Sequence, residues 1–278
     1  MHEINKQLTE ILSRQQGVDV SNYDLVFLNK LMHKRLIETQ CNSEDAYCKL
    51  LETNIAESDQ FIHSLQISYS EFFRNPLTFS VLEKIILPAI VMKKIKSNQN
   101  EIRIWSAACA AGQETYSIAI LLKEILNSIG EKINFRIFAT DQSESQISEA
   151  QLGRFPESAL NSLSLRRVKQ WFIKQGDTYT VKPQLKEKID FSVFDLFNEQ
   201  YSCPPNSIFG DFDLVICANL LFYYKPEFRL KIIEKTNNSL SPNGFLVTGE
   251  TERDILMQAN FQEAYPQSAI FKQLSING

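Results

Sequence analysis

Glu114 is an acid standing where a helix opens. The stretch around it, EIRIWSAACAAGQETYSIAILLKEIL from Glu101 to Leu126, reads as a short buried strand, a loop of small residues and an amphipathic helix. Small residues between a strand and a helix let the backbone approach a ligand and present N–H groups at the helix start. A phosphate suits such N–H groups, but Glu114 would repel it, and a ligand with a positively charged end would be held instead. Of the pattern G-x-G-x-x-G the loop keeps only Gly112, and it has no Lys-Ser/Thr pair. Neither a dinucleotide fingerprint nor a phosphate loop is therefore supported.

Three more groups fall where such a site would need them. Asp141 closes the strand in FRIFATD, placed to accept hydrogen bonds from both hydroxyls of a ribose, although it also suits a cap for the next helix, a role Ser143 can share. Asp195 and Leu196 leave the strand in FSVFDLF beside an apolar surface fit for an adenine. Asn219 and Tyr223 follow the strand in FDLVICANLLFYY. Together these residues fit a nucleoside with a cationic, amino-acid-like end, and S-adenosyl-L-methionine has that form. From the residues alone, a dehydrogenase-like domain and a purely structural doubly wound domain stay open.

The elements that must position these groups follow from periodicity. Candidate strands are Ile102–Ser106, Phe135–Thr140, Ile189–Phe194, Phe212–Cys217 and Phe245–Gly249, and candidate helices between them are Glu114–Leu126, Ser143–Gln151, Leu163–Ile173 and Lys225–Asn238. This alternation predicts an α/β domain with a mainly parallel, doubly wound sheet and the ligand beyond the strands' carboxyl ends. Asp254–Ala259 is a further helix, and Ala269–Leu274 a last strand suited to an antiparallel closing hairpin. Asp177–Pro183 is predicted as a small inserted strand. Residues 1–75 read as wholly helical, with Gly17 ending the first helix, Asn22 capping the second, Asn42 or Ser43 the third, and Ser58-Asp59 opening the fourth. Asn75-Pro76 opens a new helix. We place a linker at about 68–76 and the α/β domain over 77–278. Phe72 and Phe73 are expected to glue the two domains.

Bulk composition narrows the classes. The 278 residues are 44% hydrophobic with a formal net charge of −4, which gives no case for a nucleic-acid binder. Five cysteines form no C-x-x-C pair, and three scattered histidines make no metal site. No apolar run approaches the roughly 20 residues of a membrane span. A cytoplasmic monomer is expected. Lys30, His33, Lys34 and Arg35 form a local basic cluster, read either as a solvated helix face or as a docking face for an acidic partner.

The stretches SEFFRNPLTF, RIWSAACAAGQETYSIAI, FATDQSESQISEAQLGRF, IDFSVFDLF, FDLVICANLLFYY and LSPNGFLVTGETE stand in an order and spacing that resembles the CheR family of chemotaxis-receptor glutamate methyltransferases. The resemblance covers the chain to about Asp254. It implies an all-helical N-terminal domain, a class I (Rossmann-like) methyltransferase domain with a small β insertion, and methyl transfer from S-adenosyl-L-methionine to glutamates of a chemoreceptor's cytoplasmic helices, leaving S-adenosyl-L-homocysteine. By resemblance, Glu114 holds the cofactor's methionine end, Asp141 the ribose, and Asp195-Leu196 the adenine. Ser68, Ser70 and Arg74 reach the cofactor from the linker, with Arg74 also orienting the substrate carboxylate, and Tyr223 or its neighbour Tyr224 lies near the transferred methyl.

Three departures from the family pattern stand out. Ala218-Asn219 replaces an Arg-Asn pair at the cofactor side, Gly112-Gln113-Glu114-Thr115 replaces G-E-E-P, and Asp195 replaces the common Asn. They leave open an S-adenosylmethionine-binding signalling module with weak or no transfer, or a methyltransferase of another substrate class. The insert around Gly176–Val181 is short, whereas family members that dock on a receptor's C-terminal peptide have a longer loop there. No such tether is expected, which shifts docking to Lys30, Lys34 and Arg35.

Overall fold

The computed structural model describes residues 2–65, 70–130 and 133–273. By internal contacts the chain forms two compact units, Met1–Ile67 with Leu221–Arg229, and Ser68–Leu220 with Leu230–Gly278.

The first unit is built on helices α1 (His2–Gln16), α2 (Leu25–Thr39), α3 (Glu44–Thr53) and α4 (Ile55–Leu65). Leu8, Leu12, Leu28, Tyr47, Leu51 and Phe61 are buried in it. Two starts differ from the sequence reading. Asp24, not Asn22, caps α2, its Oδ1 accepting from the Val26 and Phe27 N–H groups at 2.9 and 3.4 Å. The fourth helix opens a turn earlier than Ser58, because Asn54 Oδ1 accepts the Glu57 N–H at 3.1 Å and leaves Ser58 buried mid-helix. The segment Leu221–Arg229 belongs to this unit through backbone pairing: Asp24 N donates to Tyr223 O at 2.8 Å and Lys225 N to Asn22 O at 3.0 Å.

Arg35 also departs from expectation. Its guanidinium grips Glu57 through Nε (2.9 Å) and Nη2 (2.6 Å), and Tyr47 Oη donates to the same carboxylate at 2.7 Å. Only 14% of its side chain is exposed, so Arg35 is an internal counter-charge and not part of a docking face. Lys30 and Lys34 stay exposed.

The second unit carries a seven-stranded sheet. Its strands are β1 (Glu101–Ala107), β2 (Asn134–Asp141), β6 (Ile189–Val193), β7 (Phe212–Ile216), β8 (Leu240–Val247), β9 (Phe261–Glu263) and β10 (Ile270–Gln273), in the order β6-β2-β1-β7-β8-β10-β9. The first five run parallel, and β10 is antiparallel to both neighbours, the closing hairpin the tail suggested. Strand order reverses between β1 and β7, which places the ligand edge at their carboxyl ends. α7 (Gln113–Ile129) and α8 (Glu144–Leu152) follow β1 and β2. A separate three-stranded sheet joins β3 (Arg154–Pro156), β5 (Thr178–Val181) and β4 (Phe172–Gln175). The helix predicted over Leu163–Ile173 is therefore shorter, α9 (Leu165–Trp171), because Phe172 and Ile173 pair with Val181 and Thr180 in β5. No helix among the described residues is long and apolar enough to cross a membrane.

The segment before α5 (Pro76–Val81) is fastened within this second unit. Phe72 is fully buried, edge-on to Phe155 and Phe172 at 4.9 and 5.5 Å. Its carbonyl accepts the Ser162 hydroxyl at 2.6 Å, and the Phe73 N–H donates to Ser117 Oγ at 3.0 Å. Arg167 lies over the Phe73 ring at 4.6 Å. The paired phenylalanines thus belong to the α/β core.

Candidate active site

Strand register brings the predicted groups to one edge. Ala107 of β1 pairs with Thr140, Asp141 of β2 with Val193, and Ser106 with Ile216 of β7. The residues just past these positions, Asp195, Leu196, Ala218 and Asn219, therefore leave the sheet at the same end as the loop before Glu114.

That loop has an improbable backbone. Ala108 and Ala110 have φ of +61° and +47°, and Gly112 has +89°. The left-handed region costs a non-glycine residue roughly 1–2 kcal/mol, so something must hold it. The Cys109 N–H donates to Thr140 O at 2.8 Å, and the Ala110 N–H to Asp141 Oδ2 at 2.9 Å. At Gly112 a Cβ would meet Ala150 Cβ at 3.1 Å, so the loop packs on α8 only without a side chain there.

Asp141 does two structural jobs at once. Oδ2 takes Ala110 and Oδ1 takes the Ser143 N–H at 2.9 Å, while Ser143, the N-cap of α8, accepts from Gln146 N at 3.4 Å. Burial pushes the Asp141 carboxyl up and the N–H donors of Ser143, Ala110 and Gln142 oppose it. With about four acceptor directions and three N–H donors, the carboxylate keeps room for a hydroxyl donor.

Glu114 sits in the first turn of α7, with no side chain capping that helix. Ser106 Oγ donates to its Oε1 at 2.9 Å, and Thr115 Oγ1 donates in turn to Ser106 Oγ at 3.0 Å. Burial raises its pKa to about 7, the Ser106 hydrogen bond and the Arg74 charge pull it down, and the charge of Glu252 pushes it up. A carboxyl poised at neutrality gains most from a cationic ligand group. Carboxylates at both strand ends fit the ammonium and ribose of S-adenosylmethionine and would repel a nucleotide phosphate.

Other predicted residues are placed as follows. Asp195 is exposed and accepts the Phe197 N–H at 2.9 Å, with Leu196 buried beside it. Ala218 packs partly buried against the core. Asn219 takes φ of +60°, and its N–H donates to Glu252 Oε2 at 2.7 Å. Ser70 is half-buried, and Ser68 lies outside the described residues. Tyr223 belongs to the helical unit, its ring 4.9 Å from that of Phe27, while Tyr224 is buried and stacked on Tyr23 at 4.9 Å. Sequence reasoning missed Ser106 and Glu252. The second had a signal, since the Gly249-x-x-Glu252 spacing after a strand is that of a reciprocal cap.

Residues 68–269 match the family described as "CheR methyltransferase, SAM binding domain". The chain is similar to a chemotaxis protein methyltransferase of Listeria innocua, 28% identical over 253 residues, covering 91% of this chain and 90% of that one. It is 31% identical over 199 residues to chemotaxis protein methyltransferase 1 of Pseudomonas aeruginosa, covering 70% and 69% of the two chains. It is 25% identical over 264 residues to the chemotaxis protein methyltransferase of Escherichia coli, covering 92% and 86%. The family match spans most of the α/β unit, including every strand end that carries a site residue. The chain belongs to the CheR family and is an S-adenosylmethionine-dependent methyltransferase.

Proposed function

We propose that the protein transfers a methyl group to glutamate side chains on the cytoplasmic helices of a chemoreceptor, acting in the cytoplasm in adaptation of a chemotaxis pathway. The observation that carries this reading is Arg74. It lies directly after two phenylalanines fastened to the α/β core, and its charge reaches Glu114. A guanidinium anchored beside the cofactor's methionine end can hold one oxygen of an incoming carboxylate and leave the other to attack.

The reaction asks little acid–base chemistry of the protein. A glutamate has a reference pKa of roughly 4.3 and is already a nucleophile at neutral pH. The bound cofactor supplies an activated methyl on its sulfonium. The chain's own work is to align and desolvate: Glu114 and Asp141 hold the amino-acid and ribose ends, Leu196 lies beside the base, and Arg74 orients the carboxylate. Asp195, Ala218, Asn219, Ser70 and Ser68 complete the cofactor side. Of the two neighbouring tyrosines, the burial of Tyr224 in its stack favours Tyr223 as the one near the transferred methyl.

In this reading the N-terminal helices α1 to α4 form the receptor-docking domain. Exposed Lys30 and Lys34 on α2 face the acidic receptor helices, with Arg35 taken up by Glu57 and Glu38. The turn between β4 and β5 is two residues long, which supports docking without a receptor-peptide tether. The test is incubation with methyl-labelled cofactor and a receptor cytoplasmic fragment, then mild base. Volatile methanol shows a glutamate methyl ester. Cofactor binding without base-labile label would overturn the reading in favour of a non-transferring signalling module, which the Ala218, Gln113 and Asp195 departures would suit.

A further inference from the structure

The buried acids among the described residues are Glu57, Asp213 and Glu252. The first two have structural explanations: Glu57 pairs with Arg35, and Asp213 pairs with Lys94 at 2.9 Å and accepts the Arg103 N–H at 3.0 Å. Glu252 is different in place and partners. It is 0% exposed and lies just beyond β8 at the ligand edge. A single oxygen, Oε2, accepts the N–H of Gly249 at 2.8 Å and that of Asn219 at 2.7 Å. The Gly249 bond is the local half of a reciprocal cap, with the Glu252 N–H returning to Gly249 O at 3.0 Å. The Asn219 bond spans 33 residues and is not explained by capping.

That second bond fixes a residue in an unusual state. Asn219 holds φ of +60°, and its side-chain amide lies so close over Gly249 that a Cβ there would be 2.3 Å from Asn219 Nδ2. Glu252, Asn219 and Gly249 thus lock together the ends of β7 and β8. The charged and titratable groups acting with Glu114 are Arg74, Glu252 and the thiols of Cys109 and Cys217, with the Ser106 hydroxyl in contact.

We propose that Glu252 is a positioning residue for cofactor binding: its carboxylate fixes the Asn219 backbone at the ligand edge, and its charge favours the cofactor's ammonium group at Glu114. This rests on the assignment of Glu114 and Asn219 to the cofactor. A proton on Glu114 competes with the ammonium, so affinity rises with pH through the Glu114 titration. Removing a neighbouring negative charge moves that titration to lower pH.

Calorimetric titration of S-adenosyl-L-homocysteine, from about pH 5.5 to 8.5, tests this. Glu252→Gln keeps an oxygen for both N–H groups. It is expected to bind more weakly than the wild type at high pH, with the midpoint of its profile lower by roughly half a unit or more. Glu252→Ala is expected to weaken binding at least about tenfold across the range. A Glu252→Gln profile that superimposes on the wild type overturns the electrostatic role. A folded Glu252→Ala protein that binds with wild-type affinity overturns the positioning role. Where Glu252→Ala fails to fold, the Glu252→Gln profile alone decides. A wild-type profile that is flat, with Glu114→Gln also unaffected, overturns the Glu114 assignment together with this one. A normal Glu114 dependence with no effect of Glu252→Gln overturns this one alone.

Discussion

The helical unit and the α/β unit each bury carboxylates, and they settle the charge differently. Around Glu57 the settlement is complete: a bidentate guanidinium and a tyrosine hydroxyl both point at one carboxylate. The same arrangement drives Arg35 and Tyr47 to hold their protons more firmly, Arg35 chiefly through its hydrogen bond to Glu57 and Tyr47 chiefly through burial. At the ligand edge, Glu114 feels one cation, Arg74, against the further acid Glu252, and Asp141 stands at the neighbouring strand end. Its carboxyl is left near 7. A closed cluster stabilises a fold; an acid-rich one is completed by a cationic ligand.

Breaking the closed cluster should have the largest effect. Glu57→Ala takes the bidentate partner from a guanidinium that is 14% exposed, leaving it Glu38, and should cost about 3–5 kcal/mol of stability in urea unfolding. A loss below about 1 kcal/mol would show that the first cluster is as open as the second.

Arg74→Ala should lower methyl transfer about 10²- to 10³-fold in single-turnover assays, with thermal stability nearly unchanged. Wild-type turnover on a receptor fragment would remove Arg74 from the substrate carboxylate.

Glu114→Gln should weaken S-adenosyl-L-homocysteine binding by about 30- to 150-fold, or about 2–3 kcal/mol, without destabilising the ligand-free protein. That is the opposite stability outcome to Glu57→Ala, and equal destabilisation by both changes would erase the contrast.

The smallest effect is a pH dependence. Glu114 is raised from 4.5 to about 7 in the folded state, so between those values the folded protein binds more protons than the unfolded chain. Its contribution is therefore fully present below about 4.5 and is lost as pH rises through about 7. Urea midpoints of the ligand-free wild type should fall over that window relative to Glu114→Gln. Parallel curves would place Glu114 in an ordinary solvated setting.

Periodicity revealed strands and helices well where burial was uniform, as in Ile102 to Trp105 or Phe212 to Ile216. It overextended the helix into Phe172 and Ile173, since an apolar pair is equally at home in a strand once β5 is there to pair with it. The basic cluster shows a second limit. Lys30, Lys34 and Arg35 look alike in sequence, and only the approach of Glu57 from α4 removes Arg35 from the surface. The tie of Glu252 to Asn219 was hidden for the same reason, because Asn219 lies on a different strand end.

By itself the sequence determined the alternation of elements, the small-residue loop, and the acids at Glu114 and Asp141 that disfavour phosphate. These are local properties, readable from side-chain type and spacing. Only the tertiary structure decided which charges are spent and which are left for a ligand. That depends on what packs against each carboxylate: a guanidinium on a neighbouring helix for Glu57, a hydroxyl and a second acid for Glu114.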